Sequence, residues 1–234
     1  MVIRCSGLTK EFLMHIRGGA RVVGFRDLSF DLDDGAFLGV SGPSGIGKSS
    51  LLKCVYRTYR PSAGSLEYEA RDGRTIDLAT APEEEVLDVR GSEISYVSQF
   101  FHVIPRVSAR ETIAKAMTRR GVDAAEAYET TESMFERVGI DRSLWDLFPS
   151  TFSGGEKQRL NVLHALVQRP RLLLLDEPTA SLDAKAAAEV VSLLKEIKAE
   201  GTAMIGVFHD RDTMRELSDE VLDFADRATT EVPT

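Results

Sequence analysis

The stretch Gly42-Pro43-Ser44-Gly45-Ile46-Gly47-Lys48-Ser49-Ser50 constrains this chain more than any other. Its spacing is G-x-x-x-x-G-K-[ST], a phosphate-binding loop, and its flanks suit that role. Ala36-Phe37-Leu38-Gly39-Val40-Ser41 before it is short and apolar and predicts a buried strand. Ser50-Leu51-Leu52-Lys53-Cys54-Val55-Tyr56 after it predicts the start of a helix. The glycines let successive backbone N–H groups turn inward without a Cβ in the way. Together with the helix N-terminus they form a nest of partial positive charge suited to a β-phosphate. The Lys48 amine can reach between β- and γ-phosphates, the Ser49 hydroxyl can ligate Mg²⁺, and Ser50 can add a phosphate hydrogen bond.

Composition narrows what such a chain can be. Its 234 residues suffice for one large or two small domains, and 43% apolar with 28% charged residues is ordinary for a soluble globular protein. Lys and Arg number 29 against 37 Asp and Glu, a net charge of −8. That disfavours nonspecific binding to nucleic acid or to an anionic membrane. Cys5 and Cys54 have no metal or redox spacing and read as reduced, buried hydrophobes, which fits a cytoplasmic location. No signal peptide and no apolar run of membrane-spanning length is seen, so direct membrane insertion is not expected.

Along the chain, Met1 to Leu8 reads as a strand, followed by Thr9 to Phe12 and a loop with Gly18 and Gly19. A second, half-exposed strand centres on Leu28 to Leu32, and Asp33-Asp34-Gly35 is a turn. Ser65 to Tyr68 and Thr75 to Leu78 form a hairpin, Pro82 to Arg90 a helix, and Ile94 to Val97 a strand. Residues 108 to 148 read as helical, with loops near Gly121 and Gly139 and with Trp145, Leu147 and Phe148 in the core. A further helix begins at Ser153-Gly154-Gly155 and puts Leu160, Leu163, Leu166 and Val167 on one face. Ala184 to Glu200 is a helix, Ala203 to Phe208 a strand, Asp212 to Leu217 a helix and Val221 to Phe224 a short strand. The last ten residues are polar and read as frayed.

Leu172-Leu173-Leu174-Leu175-Asp176-Glu177 is a fully apolar strand that ends in two carboxylates. Such a strand suits the centre of a parallel sheet covered on both faces, and its C-terminal end is where ligands bind. Asp176 is placed to hold Mg²⁺ and Glu177 to act as a general base on water. Ser153-Gly154-Gly155 repeats the logic of a hydroxyl and glycines at a helix N-terminus aimed at an anion. His209 and Gln99, each just past a strand end, are open between structural and catalytic roles, and Phe12 between stacking on a base and filling core. No Asn-Lys-x-Asp guanine-reading motif occurs, which argues against a GTPase.

The ordered set resembles the ATP-binding-cassette (ABC) ATPases over nearly the whole chain. It comprises the phosphate loop, Gln99, Ser153-Gly154-Gly155, the Asp176-Glu177 strand, Ser181-Leu182-Asp183 and His209. The resemblance implies an α/β phosphate-loop NTPase with a mainly parallel core sheet, an antiparallel β subdomain and a helical subdomain at about 103–165, all in one domain over 1–234. It implies ATP and Mg²⁺, and a head-to-tail dimer or paired subunit with ATP sandwiched between. On that footing Phe12 stacks on adenine, Gln99 reaches the metal, and Asp183 and His209 complete the site. Ser153 and Gly155 reach the γ-phosphate across the interface, and Glu177 is the base. Phe152, Glu156 and His164 depart from the family's usual residues, and the missing arginine at His164 puts any contact it makes in doubt.

Several segments are similar to the L subunit of the bacterial phosphonate carbon–phosphorus lyase system. These are Tyr96 to Phe100, Val103 to Arg106, Pro149 to Glu156, Gly206 to Asp210 and Asp77 to Pro82. That likeness implies a soluble core complex as partner and a role in making ribose 1-phosphonate 5-triphosphate from ATP and an alkylphosphonate. The alternative is the ATP-binding subunit of a membrane transporter, such as the lipoprotein-export type.

Overall fold

The computed structural model describes residues 1–14, 20–99 and 105–224. The expectations for Gly18 and Gly19, for Phe100 to Ile104 and for the last ten residues lie outside the described residues. Two sheets organise the rest. The first is antiparallel and four-stranded, built from β1 (Ile3–Met14), β2 (Ala20–Leu32), β4 (Ala63–Glu69) and β5 (Thr75–Asp77) in the order β2-β1-β4-β5. The first strand thus runs six residues past the Leu8 end expected from the sequence, because pairing to β2 continues through Phe12↔Val22 to Met14↔Ala20. The second sheet holds β3 (Phe37–Ser41), β6 (Ile94–Val97), β7 (Leu172–Asp176), β8 (Ala203–Val207) and β9 (Glu220–Asp223) in the order β6-β7-β8-β3-β9. Every pairing in it is parallel.

Strand periodicity divides the core of this parallel sheet in two. Leu172 and Leu174, Leu38 and Val40, and Ala203, Ile205 and Val207 face a cluster shared with the antiparallel sheet and α1 (Lys48–Val55). Leu173, Leu175, Phe37 and Met204 face a second cluster with α3 (Ala109–Thr118), α4 (Ala124–Arg137), α5 (Gly154–Leu166) and α6 (Ala184–Ala199). All five residues of β7 are buried, as a strand covered on both faces requires. The remaining helices are α2 (Glu83–Ser92), which carries three glutamates in its first turn, and α7 (Arg211–Leu217). Cys5 and Cys54 are buried, and burial pushes both thiols up to about 12.

Between α4 and α5 the chain is less helical than expected. Only two short 3₁₀ turns, Arg142–Leu144 and Pro149–Thr151, interrupt the loop. Three apolar residues were expected in the core here, and just one is. Trp145 is 6% exposed, stands edge-to-face to Phe135 at 5.8 Å and donates its indole N–H to the Ile140 carbonyl at 3.0 Å. Leu147 and Phe148 are 47% and 46% exposed. The Trp145 backbone carbonyl accepts from Arg110 and that of Leu147 from Ala109, so this loop is tied to the start of α3 by its backbone while the Leu147 and Phe148 side chains face solvent. Replacing Trp145 with Ala should therefore cost about 3–5 kcal/mol of stability in urea denaturation, whereas Phe148→Ser should stay within about 0.5 kcal/mol. Equal effects would mean that the two rings are equally buried.

Candidate nucleotide site

Because the five central strands are parallel, their C-terminal ends open on one edge. In neighbouring positions along that edge stand Gln99 after β6, Asp176 and Glu177 at the end of β7, His209 after β8 and Gly42 after β3. The glycine loop is built on this edge. Gly47 has φ 111°, and a Cβ there would lie 2.2 Å from the Gly24 carbonyl oxygen of β2, so only glycine fits where the loop turns into α1. Ser44 and Gly45 at the loop tip are exposed, Pro43 accepts a bond from the Ile46 amide at 3.4 Å, and Ser50 lies in the first turn of α1. Lys48 Nζ donates to the carbonyls of Gly42 and Pro43 at 2.7 and 2.9 Å. Burial pulls its ammonium below the ordinary lysine range, against the opposing charges of Glu177 and Asp176.

Asp176 anchors the site. It is 4% exposed, and each carboxylate oxygen accepts one hydroxyl: Ser49 on Oδ1 at 2.8 Å and Tyr96 on Oδ2 at 2.9 Å. Burial and the Asp176 charge push the Tyr96 phenol well above its ordinary value, which keeps it a donor. Oxygen donors at this point suit a hard cation such as Mg²⁺. Among the described residues no group of three or more His, Cys, Asp or Glu could hold a metal. Glu177 adopts φ 54°, a left-handed conformation uncommon outside glycine, and its amide is fixed to the Val207 carbonyl at 2.9 Å.

Other expected residues are placed apart from this cluster. Gln99 and His209 are exposed and make no hydrogen bond to Asp176 or Glu177. Phe12 is half-buried, edge-to-face with Tyr59 at 5.3 Å, with Lys10 Nζ 4.9 Å from its ring. A Cβ on Gly24 would meet its ring at 2.9 Å, so Phe12 sits beside the strand residue against which Gly47 packs. Ser153 is the N-cap of α5 and closes a capping box with Glu156, which explains a glutamate at that position: its carboxylate accepts the Ser153 amide at 2.7 Å. Gly154 is exposed, and a Cβ on Gly155 would lie 2.9 Å from the Ser181 carbonyl oxygen. Asp183 caps α6 through the Ala186 amide at 2.9 Å. The Ser153 loop and the Ser181–Asp183 turn are thus neighbours. His164, where the family's usual arginine is missing, is half-buried, and desolvation and the Arg119 charge hold its imidazole below the ordinary range.

Three site residues were missed in the sequence. Tyr96 reads there as a strand residue, although a hydroxyl on a strand paired to β7 was a usable sign. Gln158 and Asn161, each 5% exposed, are the buried polar pair of α5. Gln158 Nε2 donates to the Pro178 carbonyl at 3.2 Å, and Asn161 Nδ2 to the Ser98 carbonyl at 2.8 Å. Their i, i+3 spacing, which puts two neutral amides on one face of the helix, was the signal.

A glycine loop on a parallel sheet, with a buried aspartate at the next-but-one strand end, defines a phosphate-loop NTPase. A family model described as ABC transporter matches residues 25–180, and the chain belongs to that ATP-hydrolysing family. The chain is 34% identical over 217 residues to the lipoprotein-releasing system ATP-binding protein LolD of Idiomarina loihiensis, which covers 92% of this chain and 91% of the relative. It is 35% identical over 228 residues to a probable amino-acid ABC transporter ATP-binding protein of Haemophilus influenzae, covering 96% and 84%. Among solved structures, the ATP-binding cassette MJ0796, a dimer in a post-hydrolysis state with ADP and Pi, superposes with a TM-score of 0.82 at 23% identity, over 94% of this chain and 93% of that one.

Removing the Tyr96 hydroxyl leaves one Asp176 oxygen without its donor. Tyr96→Phe should lower stability by about 1–2 kcal/mol in urea denaturation and slow ATP hydrolysis about tenfold. An unchanged rate would show that this hydroxyl does not orient the carboxylate.

Proposed function

We propose that this chain is the ATP-binding and ATP-hydrolysing subunit of an ABC membrane transporter, acting as a head-to-tail pair of cassettes. The observation that carries the hydrolytic site is the Ser49–Asp176 hydrogen bond of 2.8 Å at the head of α1, with Lys48 on the same turn. In this reading residues 1–234 form one cassette with a helical subdomain at about 103–165. The loop 42–50 wraps the phosphates and Lys48 moves from its own loop carbonyls to the β- and γ-phosphates. Ser49 and Asp176, with Gln99 beside them, would hold Mg²⁺, which when bound would offset phosphate charge. Glu177 accepts the proton of the attacking water as it bonds to the γ-phosphorus and the bond to the β-phosphate oxygen breaks. His209 lies one strand away from Glu177 and reaches the same γ-phosphate. Phe12 flanks the base. Ser153 and Gly155 serve the nucleotide of the opposite cassette, and Asp183 lies at that interface beside them.

Support for a paired arrangement comes from the placement of Ser153 at the head of α5, on an element separate from its own loop, and from the dimeric form of the MJ0796 cassette. Support for a transporter partner comes from relatives whose names cover lipoprotein release, probable amino-acid transport and macrolide export. Those names span different cargoes, so they favour the class of machine and not one cargo. Among the described residues no helix is long and apolar enough to cross a membrane. A cytoplasmic location goes with this reading.

The carbon–phosphorus lyase reading is the second, supported by the sequence segments Tyr96 to Phe100, Val103 to Arg106, Pro149 to Glu156, Gly206 to Asp210 and Asp77 to Pro82. The transporter names of the relatives weigh against it. The two separate in a gene deletion strain fed labelled alkylphosphonate. A transporter subunit of unrelated cargo leaves phosphonate use intact and sediments with membranes. A lyase subunit lets phosphonate accumulate unconverted, and it co-purifies with soluble partners.

The hydrolytic assignment has its own test. Glu177→Gln keeps shape and removes the base, so ATP should still bind and an ATP-trapped dimer should accumulate on gel filtration. Turnover should fall at least about a hundredfold. Wild-type turnover in this variant would remove Glu177 from the role.

A further inference from the structure

Three arginines converge on one pocket away from the glycine loop. It has a volume of about 280 Å³, lies between the turn after α1 and the outer face of α2, and is lined by Arg57, Arg60, Glu83, Val86, Leu87 and Arg90. The chain has a net charge of −8, and several of its arginines are paired with carboxylates, as Arg110 is with Glu132 and Arg137 with Glu196. Among the described residues none of these three is in an ion pair, and one carboxylate faces three guanidinium groups.

The arginines are held in place. Arg57 follows the C-cap of α1 with φ 59°, a left-handed position where glycine is the usual choice. Its guanidinium is pinned by donation to the carbonyls of Leu78 and Ala81. Burial, and after it the neighbouring Arg60 charge, pull Arg57 below its ordinary range against the opposing charges of Glu83 and Asp77. The Arg90 guanidinium carbon lies 4.0 Å from the Tyr56 ring centroid, and among the described residues its Nε is buried without a hydrogen-bond partner. Guanidinium forks in this number match a tetrahedral dianion, which offers several acceptor oxygens and two charges.

We propose that this pocket binds a phosphate-class oxyanion, either free phosphate or the phosphate group of a small ester, at a site separate from the nucleotide loop. The site also has a physical route to the loop. The Tyr56 and Tyr96 rings are 5.2 Å apart, and Tyr96 donates to Asp176. An occupant bonded to Arg90 thus sits two ring contacts, Tyr56 and Tyr96, from the carboxylate that anchors the candidate nucleotide site.

The test uses the full chain carrying Lys48→Ala, which removes the loop's own hold on phosphate. Equilibrium dialysis with labelled inorganic phosphate, and in a second arm with glycerol phosphate, should show one saturable site per chain. The tighter probe identifies free anion or ester as the source. Arg60→Glu, at an exposed residue, should weaken binding at least about tenfold, and Arg90→Lys, which keeps charge but loses the fork, by a similar factor. In the native chain Arg60→Glu should leave ATP affinity unchanged. Protection of Arg60 and Arg90 by phosphate against phenylglyoxal, mapped by mass spectrometry, gives a readout that needs no variant. Absence of binding to either probe, or binding that Arg60→Glu leaves unchanged, would overturn the proposal.

Discussion

The buried carboxylate of Asp176 is the constraint on which the rest of the site depends. A carboxylate 4% exposed, at the end of a strand of four leucines, carries a desolvation cost of several kcal/mol unless it is satisfied. Two hydroxyls from different elements satisfy it, Ser49 from α1 and Tyr96 from β6. To do so they fix the first turn of α1 against β7 and set the register of β6 beside it. The glycine loop therefore has a defined height above the sheet edge before any phosphate arrives. Lys48, bonded to the loop's own carbonyls, holds the place that a phosphate charge can take.

Helix α5 ties that edge to the helical part of the chain. Gln158 bonds the carbonyl of Pro178, just past Glu177, and Asn161 bonds that of Ser98, just before Gln99. Both are neutral side chains that satisfy backbone acceptors freed where strands end. The same helix begins at Ser153, whose hydroxyl and amide are engaged with Glu156. A shift of α5 is thus felt at two strand ends at once. This is a rigid mechanical connection between the Ser153 loop and the residues flanking Glu177 and Gln99, made by hydrogen bonds rather than by apolar contact alone.

Much of the fold was legible in the chain because its patterns are local. The loop flanks, the Leu172–Leu175 run, the hairpin at Thr75 and the helix beginning at Ser153 all stand where the sequence places them. What local pattern could not reveal was partnership across the chain. Apolarity alone sent Leu147 and Phe148 to the core with Trp145, yet Trp145 has Phe135 and the Ile140 carbonyl to receive it while the other two have no such partners among the described residues. The length of β1 was hidden for a similar reason: residues past Leu8 are strand because β2 offers them a ladder, not because of their own composition.

By itself the sequence determined the chemistry at hand: a phosphate loop, a carboxylate pair after a buried strand, and the order of motifs that marks the family. These follow from spacing along the backbone, which a chain carries whether folded or not. Only the tertiary structure decided that Tyr96 shares Asp176 with Ser49, that Gln158 and Asn161 bind the strand ends, and that Arg57, Arg60 and Arg90 meet in one pocket. Residues so joined lie up to 127 positions apart, as Ser49 and Asp176 do. Which of them meet is settled by sheet order and helix packing, where burying polar groups without partners costs more than any local preference contributes.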